Sequence, residues 1–289
     1  MTPHRLVLTL LLLLLLLASH SKPSRAFSEL QPLHRFLLVR HGETNYNAEG
    51  RIQGTLESKL TERGHAQASE VGKWLASAEP AIDRIVVSPK LRTRETLAGI
   101  AAAHPGVEEA AAALRAGLRE IELTGWEGRL RSDVTADPDS SSHPDADGER
   151  WRRWKRDPIG FTFDEDGHAP LGDMWQRAGE EWDSLKENAL SATEPSTTLV
   201  VAHGALNRAL VLHMLGLPVE RWRDDKEHFL FDNCECVELR WSADGCGADD
   251  APDDGPYPHA ICWRRRFPQE TPWASRAEEA ARSPPKATL

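Results

Sequence analysis

A short segment of the chain pairs two side chains that suit phosphate chemistry. The segment LVRHGET occupies residues 38–44, and in it Arg40 directly precedes His41. A guanidinium is a planar fork that fits phosphate oxygens, and a rigidly held imidazole can attack phosphorus. Gly42 would let the backbone come close to a ligand. For an Arg-His pair alone, a loop histidine with satisfied hydrogen bonds or a metal ligand would be the more ordinary interpretation.

Further polar residues make this pair less isolated. Arg92 follows Ser88-Pro89, a helix-start signal in which the serine would cap free amides and the proline would fit the first turn. An arginine in that turn lies where the helix dipole already favours an anion. Glu120 is a candidate proton donor, and His203-Gly204 follows another apolar run. Together these residues predict the binding of a phosphate group and attack on it.

The elements that must position these residues alternate between strands and helices. Short apolar runs predict strands at 36–39, 82–87 and 199–202. Helical patterns follow them at about 62–78, 89–103 and 206–215. This order favours an α/β fold, a three-layer α/β/α sandwich with a mainly parallel sheet, in which ligands bind beyond the carboxyl ends of the strands. The candidate residues follow those ends.

The region between the second and third strands is expected to form a small helical cap. It contains four tryptophans, Trp151, Trp154, Trp175 and Trp182. They could stack on a ligand, although packing within the cap is the more ordinary role for aromatic side chains. Acidic surface insertions without regular structure are expected at about 132–149 and 243–257, and a disordered tail at 276–289. The folded domain is expected to cover 33–268.

The N-terminal segment has the pattern of a targeting signal. Arg5 precedes an apolar run from Leu6 to Ala18, which is short for a bilayer span and matches a signal peptide. Residues 1–26 are therefore expected to direct entry into the secretory pathway and to be removed, which leaves a mature protein without a stable membrane span. Phe27 after that junction also resembles a two-part address to a plastid of secondary origin, so plastid and secreted or lumenal destinations stay open.

Composition excludes some partners. The chain has 35 basic and 45 acidic residues and a formal net charge of −10, which disfavours nucleic acid as a partner. An anionic substrate must therefore find a local basic pocket. The four cysteines imply no disulfide framework. Cys234 and Cys236 are expected on a strand as buried free thiols, because no further zinc ligands stand at a recognisable spacing.

Four motifs together resemble the histidine phosphatase superfamily, also called the phosphoglycerate mutase-like family. In the family order, they are LVRHGET at 38–44, SPKLRTRET at 88–96, LRE at 118–120 with WEG at 126–128, and VVAHG at 200–204. The resemblance covers about residues 35–241. Within the family, segments 151–163 and 170–182 look closest to plant plastid proteins of the 2-carboxyarabinitol-1-phosphatase type.

The resemblance implies a role for each matching residue. His41 would be the nucleophile that becomes phosphorylated, and Glu120 would be the acid/base. The phosphate would be held by a basic and polar set, namely Arg40, Arg92, His203, Asn47 and the Gly204 amide. Attack requires a neutral His41, whereas a histidine that contacts phosphate is expected to be protonated. The resemblance implies no cofactor and no metal, because arginines and an imidazolium supply the positive charge.

The expected activity is hydrolysis of a small phosphate ester, such as a sugar phosphate or a phosphorylated acid, through a phosphohistidine on His41. The stretch IELTGWEG after Glu120 resembles phosphatases rather than mutases. A phosphoglycerate mutase-type transfer is the runner-up, since it shares the phosphoenzyme. An inactive phosphate-binding module ranks last, because all five catalytic residues are present. The sequence does not predict an oligomeric state.

Overall fold

A computed structural model describes residues 33–78, 81–136, 147–163, 167–224, 230–242 and 261–267, the last of these as backbone. These residues all belong to one unit that begins at Pro32. The strands are β1 (His34–Arg40), β2 (Arg84–Val87), β3 (Ala113–Leu114), β4 (Thr197–Ala202), β5 (Cys236–Trp241) and β6 (Ile261–Phe267). The α-helices are α1 (Asn45–Ala48), α2 (Glu62–Ala78), α3 (Leu91–Ala103), α4 (Arg131–Thr135), α5 (Gly148–Arg156), α6 (Pro170–Leu190), α7 (Gly204–Met214) and α8 (Arg221–Asp224).

The six strands form one mixed sheet in the order β3-β2-β4-β1-β5-β6. The first four of these run parallel, whereas β5 and β6 pair antiparallel at the other side. The central strand β4 is buried along its whole length, as expected for a parallel strand covered on both faces. The mainly parallel sheet predicted from the sequence is confirmed.

Alternate residues of the central strands supply two separate cores. Phe36 and Leu38 of β1 pack with α6 and α7 on one face of the sheet. Leu37 and Val39 point to the opposite face and pack with α2 and α3. This alternation follows from the two-residue period of a strand, and it produces the predicted three-layer α/β/α sandwich.

A third cluster, separate from the two cores of the sheet, forms the predicted helical cap. It is centred on Trp126, which is fully buried and touches Trp151 and Phe161. The prediction of a structureless segment at 132–149 is wrong at both of its ends, which belong to α4 and α5. Val134 is buried in the cap cluster, and this single apolar contact explains the short helix in an otherwise polar stretch. Residues 137–146 and 243–257 lie outside the described residues.

The residues before α2 and α3 differ in whether they cap their helices. Thr61 precedes α2, and its hydroxyl accepts from the Gly64 amide at 3.0 Å, as a capping residue does. Ser88 does not cap α3, because that helix begins at Leu91 and its preceding residue, Lys90, makes no side-chain cap. Among the residues that the structure describes, no helix is both long and apolar enough to cross a bilayer.

Candidate active site

The carboxyl ends of three parallel strands bring the candidate residues to one edge of the sheet. Arg40, the last residue of β1, is in register with Ala202, the last residue of β4. Val87, the last residue of β2, is in register with Val201. Since the chain continues from these ends into His41, Ser88 and His203, strand pairing alone places the three side chains side by side.

His41 is buried, and the structure fixes the tautomer of its ring. Its Nδ1 lies 2.8 Å from the carbonyl oxygen of Gly42, which can only accept, so Nδ1 carries the proton. The other nitrogen, Nε2, has no hydrogen-bond partner among the described residues and keeps its lone pair. Burial, followed by the charges of Arg40 and Arg92, holds the pKa of His41 well below its ordinary value. The ring is therefore neutral at pH 7, as a nucleophile requires.

The backbone of His41 is held from both sides. Its amide donates to the Ala202 carbonyl at 3.0 Å, and its carbonyl accepts from the Asn233 side chain at 3.0 Å. The Cys234 amide donates to the Arg40 and His41 carbonyls at 3.0 and 3.3 Å. Cys234 has a φ of 58°, a left-handed conformation that is unfavourable for a residue with a side chain. The prediction that Cys234 lies on a strand is wrong, since β5 begins at Cys236, but both cysteines are buried and no disulfide joins them.

The backbone of Gly42 was expected to lie close to a ligand, but it lies close to α2. A Cβ on this residue would lie 2.6 Å from the Gly64 carbonyl oxygen in α2, so the close approach is to a helix of the protein itself. The Gly42 amide donates to the Thr96 hydroxyl at 2.9 Å, and that hydroxyl donates to the Arg92 carbonyl at 2.7 Å. Thr96 thereby links the nucleophile loop to the helix that carries Arg92.

Arg92 is fully buried and its guanidinium is fixed by the loop at 53–56. Its Nη1 and Nη2 donate to the carbonyls of Leu56 and Gly54, both at 2.8 Å. Gln53, with its amide oxygen turned towards Arg92, accepts from Nε at 2.6 Å. Glu127 in turn accepts from the amide and hydroxyl of Thr55, both at 2.8 Å. Desolvation lowers the pKa of Arg92 to about 10, so the side chain stays charged at neutral pH.

His203 lies beside His41, with the ring centroids 5.4 Å apart. Its Nδ1 accepts from Arg92 Nε at 3.1 Å, so its proton lies on Nε2, which donates to the Ser88 hydroxyl at 2.8 Å. Burial and then the charge of Arg92 hold the pKa of His203 well below its ordinary value. The ring is therefore neutral in this structure. The protonated state expected from the sequence applies to contact with a phosphate anion, which would supply the missing negative charge.

Arg40, Gly204 and Asn47 complete the predicted phosphate pocket. Arg40 donates through Nη1 to the Phe231 carbonyl at 2.6 Å, and its Nε is buried without a hydrogen-bond partner among the described residues. A Cβ on Gly204 would come within 3.4 Å of that Nε. The side-chain oxygen of Asn47 accepts from Thr44 and Asn233. This leaves its NH₂ group able to donate to an anion.

Glu120 reaches the same edge of the sheet from a loop. Its Oε1 accepts from the amides of Ile121 at 2.9 Å and Leu206 at 3.2 Å, and its Oε2 accepts from Ala205 at 3.4 Å. Two of these donors are free amides in the first turn of α7, where the helix dipole favours a carboxylate. The structure therefore brings the candidate acid/base together with the end of β4.

A cavity of about 490 Å³ lies next to the first turn of α7, whose amides donate to the Glu120 carboxylate. Ile121 and Ala205 line it on the side of Glu120, and Trp151, Trp154 and Trp222 supply aromatic walls. Its described lining residues include four cations and no carboxylate, the cations being Arg131, Lys155, Arg208 and Arg223. Its size and composition suit a small, negatively charged molecule.

The aromatic residues of the cap therefore divide between two roles. Trp151 and Trp154 both pack on Trp126 and face the cavity. Trp182 belongs to the core beneath the sheet, and Trp175 packs on His213 with the ring centroids 4.1 Å apart.

Within the described residues, no group of three or more His, Cys, Asp or Glu side chains is arranged to hold a metal ion. Five residues that contact the candidate site were not predicted as site residues, namely Gln53, Ser88, Thr96, Arg177 and Asn233. Ser88 and Thr96 lie in the matching segment 88–96, and Ser88 directly follows β2. The contacts of Gln53, Arg177 and Asn233 depend on distant segments.

Comparison with known proteins places this geometry in a family. A profile of the histidine phosphatase superfamily (branch 1) matches residues 36–253. A Triticum aestivum protein named 2-carboxy-D-arabinitol-1-phosphatase is 31% identical over 250 residues, which are 84% of this chain and 42% of that protein. A Citrobacter koseri protein named probable phosphoglycerate mutase GpmB is 33% identical over 221 residues, 75% of this chain and 91% of that protein. The chain spans less than half the length of the plant relatives it matches.

Solved structures agree with the fold. A structure described as mycobacterial hydrolase 1 is 26% identical, with a TM-score of 0.58 over 81% of this chain and 97% of that one. The alpha-ribazole phosphatase of Shigella flexneri has a TM-score of 0.58 at 21% identity over 80% of this chain and 95% of that one, a likeness of fold alone. On the match of the family profile to most of its length, the chain belongs to the histidine phosphatase superfamily.

Proposed function

We propose that this protein hydrolyses a small phosphorylated metabolite through a phosphohistidine on His41. The observation that carries the proposal is the tautomer of His41. Nδ1 is held by the Gly42 carbonyl, and Nε2, which has no hydrogen-bond partner among the described residues, keeps its lone pair beside Arg40 and Arg92. A neutral imidazole in a cationic surrounding is what attack on a phosphate dianion requires, because the arginines offset the charge on the phosphoryl oxygens.

The reaction divides into two balanced steps. In the first, the Nε2 lone pair of His41 forms a bond to phosphorus while the bond to the leaving oxygen breaks, and the Glu120 carboxyl group gives that oxygen a proton. In the second, water attacks phosphorus, Glu120 takes a proton from the water, and the bond to Nε2 breaks to release phosphate. Glu120 thus acts as acid and then as base.

The cavity of about 490 Å³ supports the proposal that the leaving group of the substrate is negatively charged. It begins at residues that flank Glu120, so it can receive the part of the substrate beyond the ester oxygen. The cationic lining favours a carboxylate or a second phosphate there. The name of the wheat relative specifies the phosphate ester of a sugar acid, which has this chemistry. We therefore propose a phosphorylated acid, or a sugar carrying two phosphates, as the substrate class.

A direct test compares phosphate release by the wild type, His41→Ala and a control variant, His65→Ala, whose histidine is exposed on α2. The panel contains sugar monophosphates, sugar bisphosphates and phosphoglycerates, with conversion of 3-phosphoglycerate to 2-phosphoglycerate assayed alongside. We expect steady release by the wild type and His65→Ala, loss in His41→Ala, and acid-labile phosphate trapped on His41. Isomerisation without release would favour the mutase, which the Citrobacter relative makes the second candidate. No phosphoenzyme with any ester would indicate an inactive binding module.

The substrate class has its own test. Arg131 lines the cavity, and its guanidinium carbon lies 5.9 Å from the centre of the Trp151 ring. Arg131→Met should raise KM for esters with an anionic leaving group about tenfold and leave neutral esters within about twofold, since one charge-assisted contact is lost. Arg94→Met, on the exposed side of α3, is the matched control. An equal change in KM for both classes of ester would contradict the assignment.

For the N-terminus, we propose that residues 1–26 direct the chain into the secretory pathway, on the pattern of Arg5 followed by the apolar run Leu6–Ala18. A fluorescent fusion of the full chain should reach a plastid of secondary origin or the secretory lumen. A fusion that lacks residues 1–26 should stay in the cytosol. The same location for both fusions would contradict the proposal.

A further inference from the structure

Arg177 binds the loop that carries the candidate acid/base. It lies on α6, and its Nη1 donates to the carbonyls of Gly117 and Arg119 at 2.8 and 2.9 Å. Its Nη2 donates to the carbonyl of Glu120 at 3.2 Å. One guanidinium therefore contacts three carbonyls within four consecutive residues, which only a side chain with several donors in a fixed plane can do.

Arg177 supplies hydrogen bonds to two carbonyls that receive none from the described main chain. Among the described residues, no main-chain amide donates to the carbonyl of Arg119 or of Glu120. The segment after Leu118 has no regular structure, so its backbone is not held by a helix or strand ladder. Because a partly buried carbonyl such as that of Glu120 needs a partner, Arg177 replaces here the ladder that this loop lacks.

The same face of α6 holds the start of the loop by a separate contact. Arg115 forms an ion pair with Glu181 at 2.8 Å and donates to the Ser184 hydroxyl at 2.8 Å. This contact does not involve Glu120 or its carbonyl. Arg115 thus ties the loop to α6 through side chains, whereas Arg177 ties the backbone at the acid/base itself.

We propose that Arg177 is a positioning residue for Glu120, an inference that rests on the proposed phosphatase function. The carboxylate is anchored at one end by the amides of Ala205 and Leu206, at 3.4 and 3.2 Å, which are long bonds. Arg177 fixes the other end, the main chain of Glu120. With both ends held, the carboxyl group stays within reach of the leaving oxygen, and without Arg177 the loop is free to move away from it.

This role predicts an effect that depends on the leaving group. An alkyl ester needs a proton on its leaving oxygen, whereas p-nitrophenolate leaves without one. A displaced Glu120 should therefore slow hydrolysis of glycerol 2-phosphate much more than hydrolysis of p-nitrophenyl phosphate. A general loss of structure would slow both esters alike, so the ratio of the two kcat values separates positioning from folding.

The test measures that ratio for Arg177→Met, Arg177→Lys and the matched control Arg115→Met, with thermal unfolding recorded for each variant. We expect the ratio of alkyl to aryl kcat to fall about tenfold or more in Arg177→Met, within the range of general acid catalysis. Arg177→Lys, which cannot span all three carbonyls, should give a smaller fall. Arg115→Met should leave the ratio within about twofold.

A double variant adds a second criterion. In a Glu120→Gln background, Arg177→Met should change the ratio no further, because the group it positions is already removed. The proposal is overturned if Arg177→Met slows both esters equally, if Arg115→Met lowers the ratio as much, or if the two effects add in the double variant. A wild type that forms no phosphoenzyme would instead overturn the proposed function, and this inference with it.

Discussion

Acidification should destabilise this protein through the two histidines of its active site. His41 and His203 are 2% and 0% exposed, and burial with the nearby arginines holds both pKa values well below the ordinary one. In the unfolded chain each ring titrates near pH 6.5. Below that pH the unfolded state binds more protons than the native state, so stability falls as the pH falls.

The loss of unfolding free energy can be calculated from the titration of a histidine in the unfolded chain. Between pH 7 and pH 5 an unfolded histidine changes from mostly neutral to almost fully protonated. If the native ring stays neutral over this range, linkage costs the native state about 2 kcal/mol per histidine, or about 4 kcal/mol for both. For an average domain this is a large fraction of the free energy of unfolding.

Comparison with His203→Gln isolates one of the two rings. Urea denaturation at pH 7 and pH 5 in phosphate-free buffer gives the loss of unfolding free energy for each protein. The wild type should lose about 2 kcal/mol more than the variant, since carboxylates and the other histidines titrate in both proteins. Equal losses in the two proteins would show that His203 takes up a proton in the native state and would refute the reasoning.

Three further substitutions and one control, Gly172→Ala, test how the site is supported. Gly64→Ala would push a methyl group into the Glu43 carbonyl oxygen and should cost about 2 kcal/mol in urea denaturation. Gly172→Ala, a helical position with room for a methyl group, should be neutral or stabilising, and equal results for both glycines would contradict this view. Glu127→Gln should lower kcat/KM about tenfold, because it loosens the loop that fixes Arg92, whose charge acts both in binding and in attack. Trp126→Ala should cost about 3–5 kcal/mol in urea denaturation, as expected for a fully buried aromatic side chain, and a smaller loss would show that the cap collapses around the gap.

The sequence predicted the fold and the meeting of the main site residues for a local reason. His41 and His203 each stand directly after a strand, and Arg92 lies four residues beyond Ser88, which follows another. The carboxyl ends of neighbouring parallel strands share an edge, so a strand prediction is also a prediction of proximity. The alternation of apolar residues on β1 likewise determines the two cores, because it depends on residues that are adjacent in the chain.

Other features depend on contacts between distant segments, which no local pattern encodes. Ser88-Pro89 has the composition of a helix start, but the Ser88 hydroxyl bonds to His203 and α3 begins later. Cys234 follows an apparent strand pattern, yet it turns into a left-handed conformation to donate to the His41 carbonyl. Arg177 lies 57 residues from Glu120 along the chain, and its type and spacing gave no indication of that contact.

The charge of the active site differs from a simple count of its basic side chains. Four such side chains suggest a strongly cationic pocket, but both histidines are neutral, and the Nε proton of Arg92 is shared between His203 and Gln53. Both ring nitrogens of His203 bond to protein groups, so contact with phosphate must displace Ser88 or Arg92 from this ring. A ring freed in this way next to an anion gains a proton, which means that phosphate binding at neutral pH should be accompanied by proton uptake. The neutral resting state keeps two buried histidines uncharged beside the arginines, and the substrate itself supplies the charge that completes the pocket.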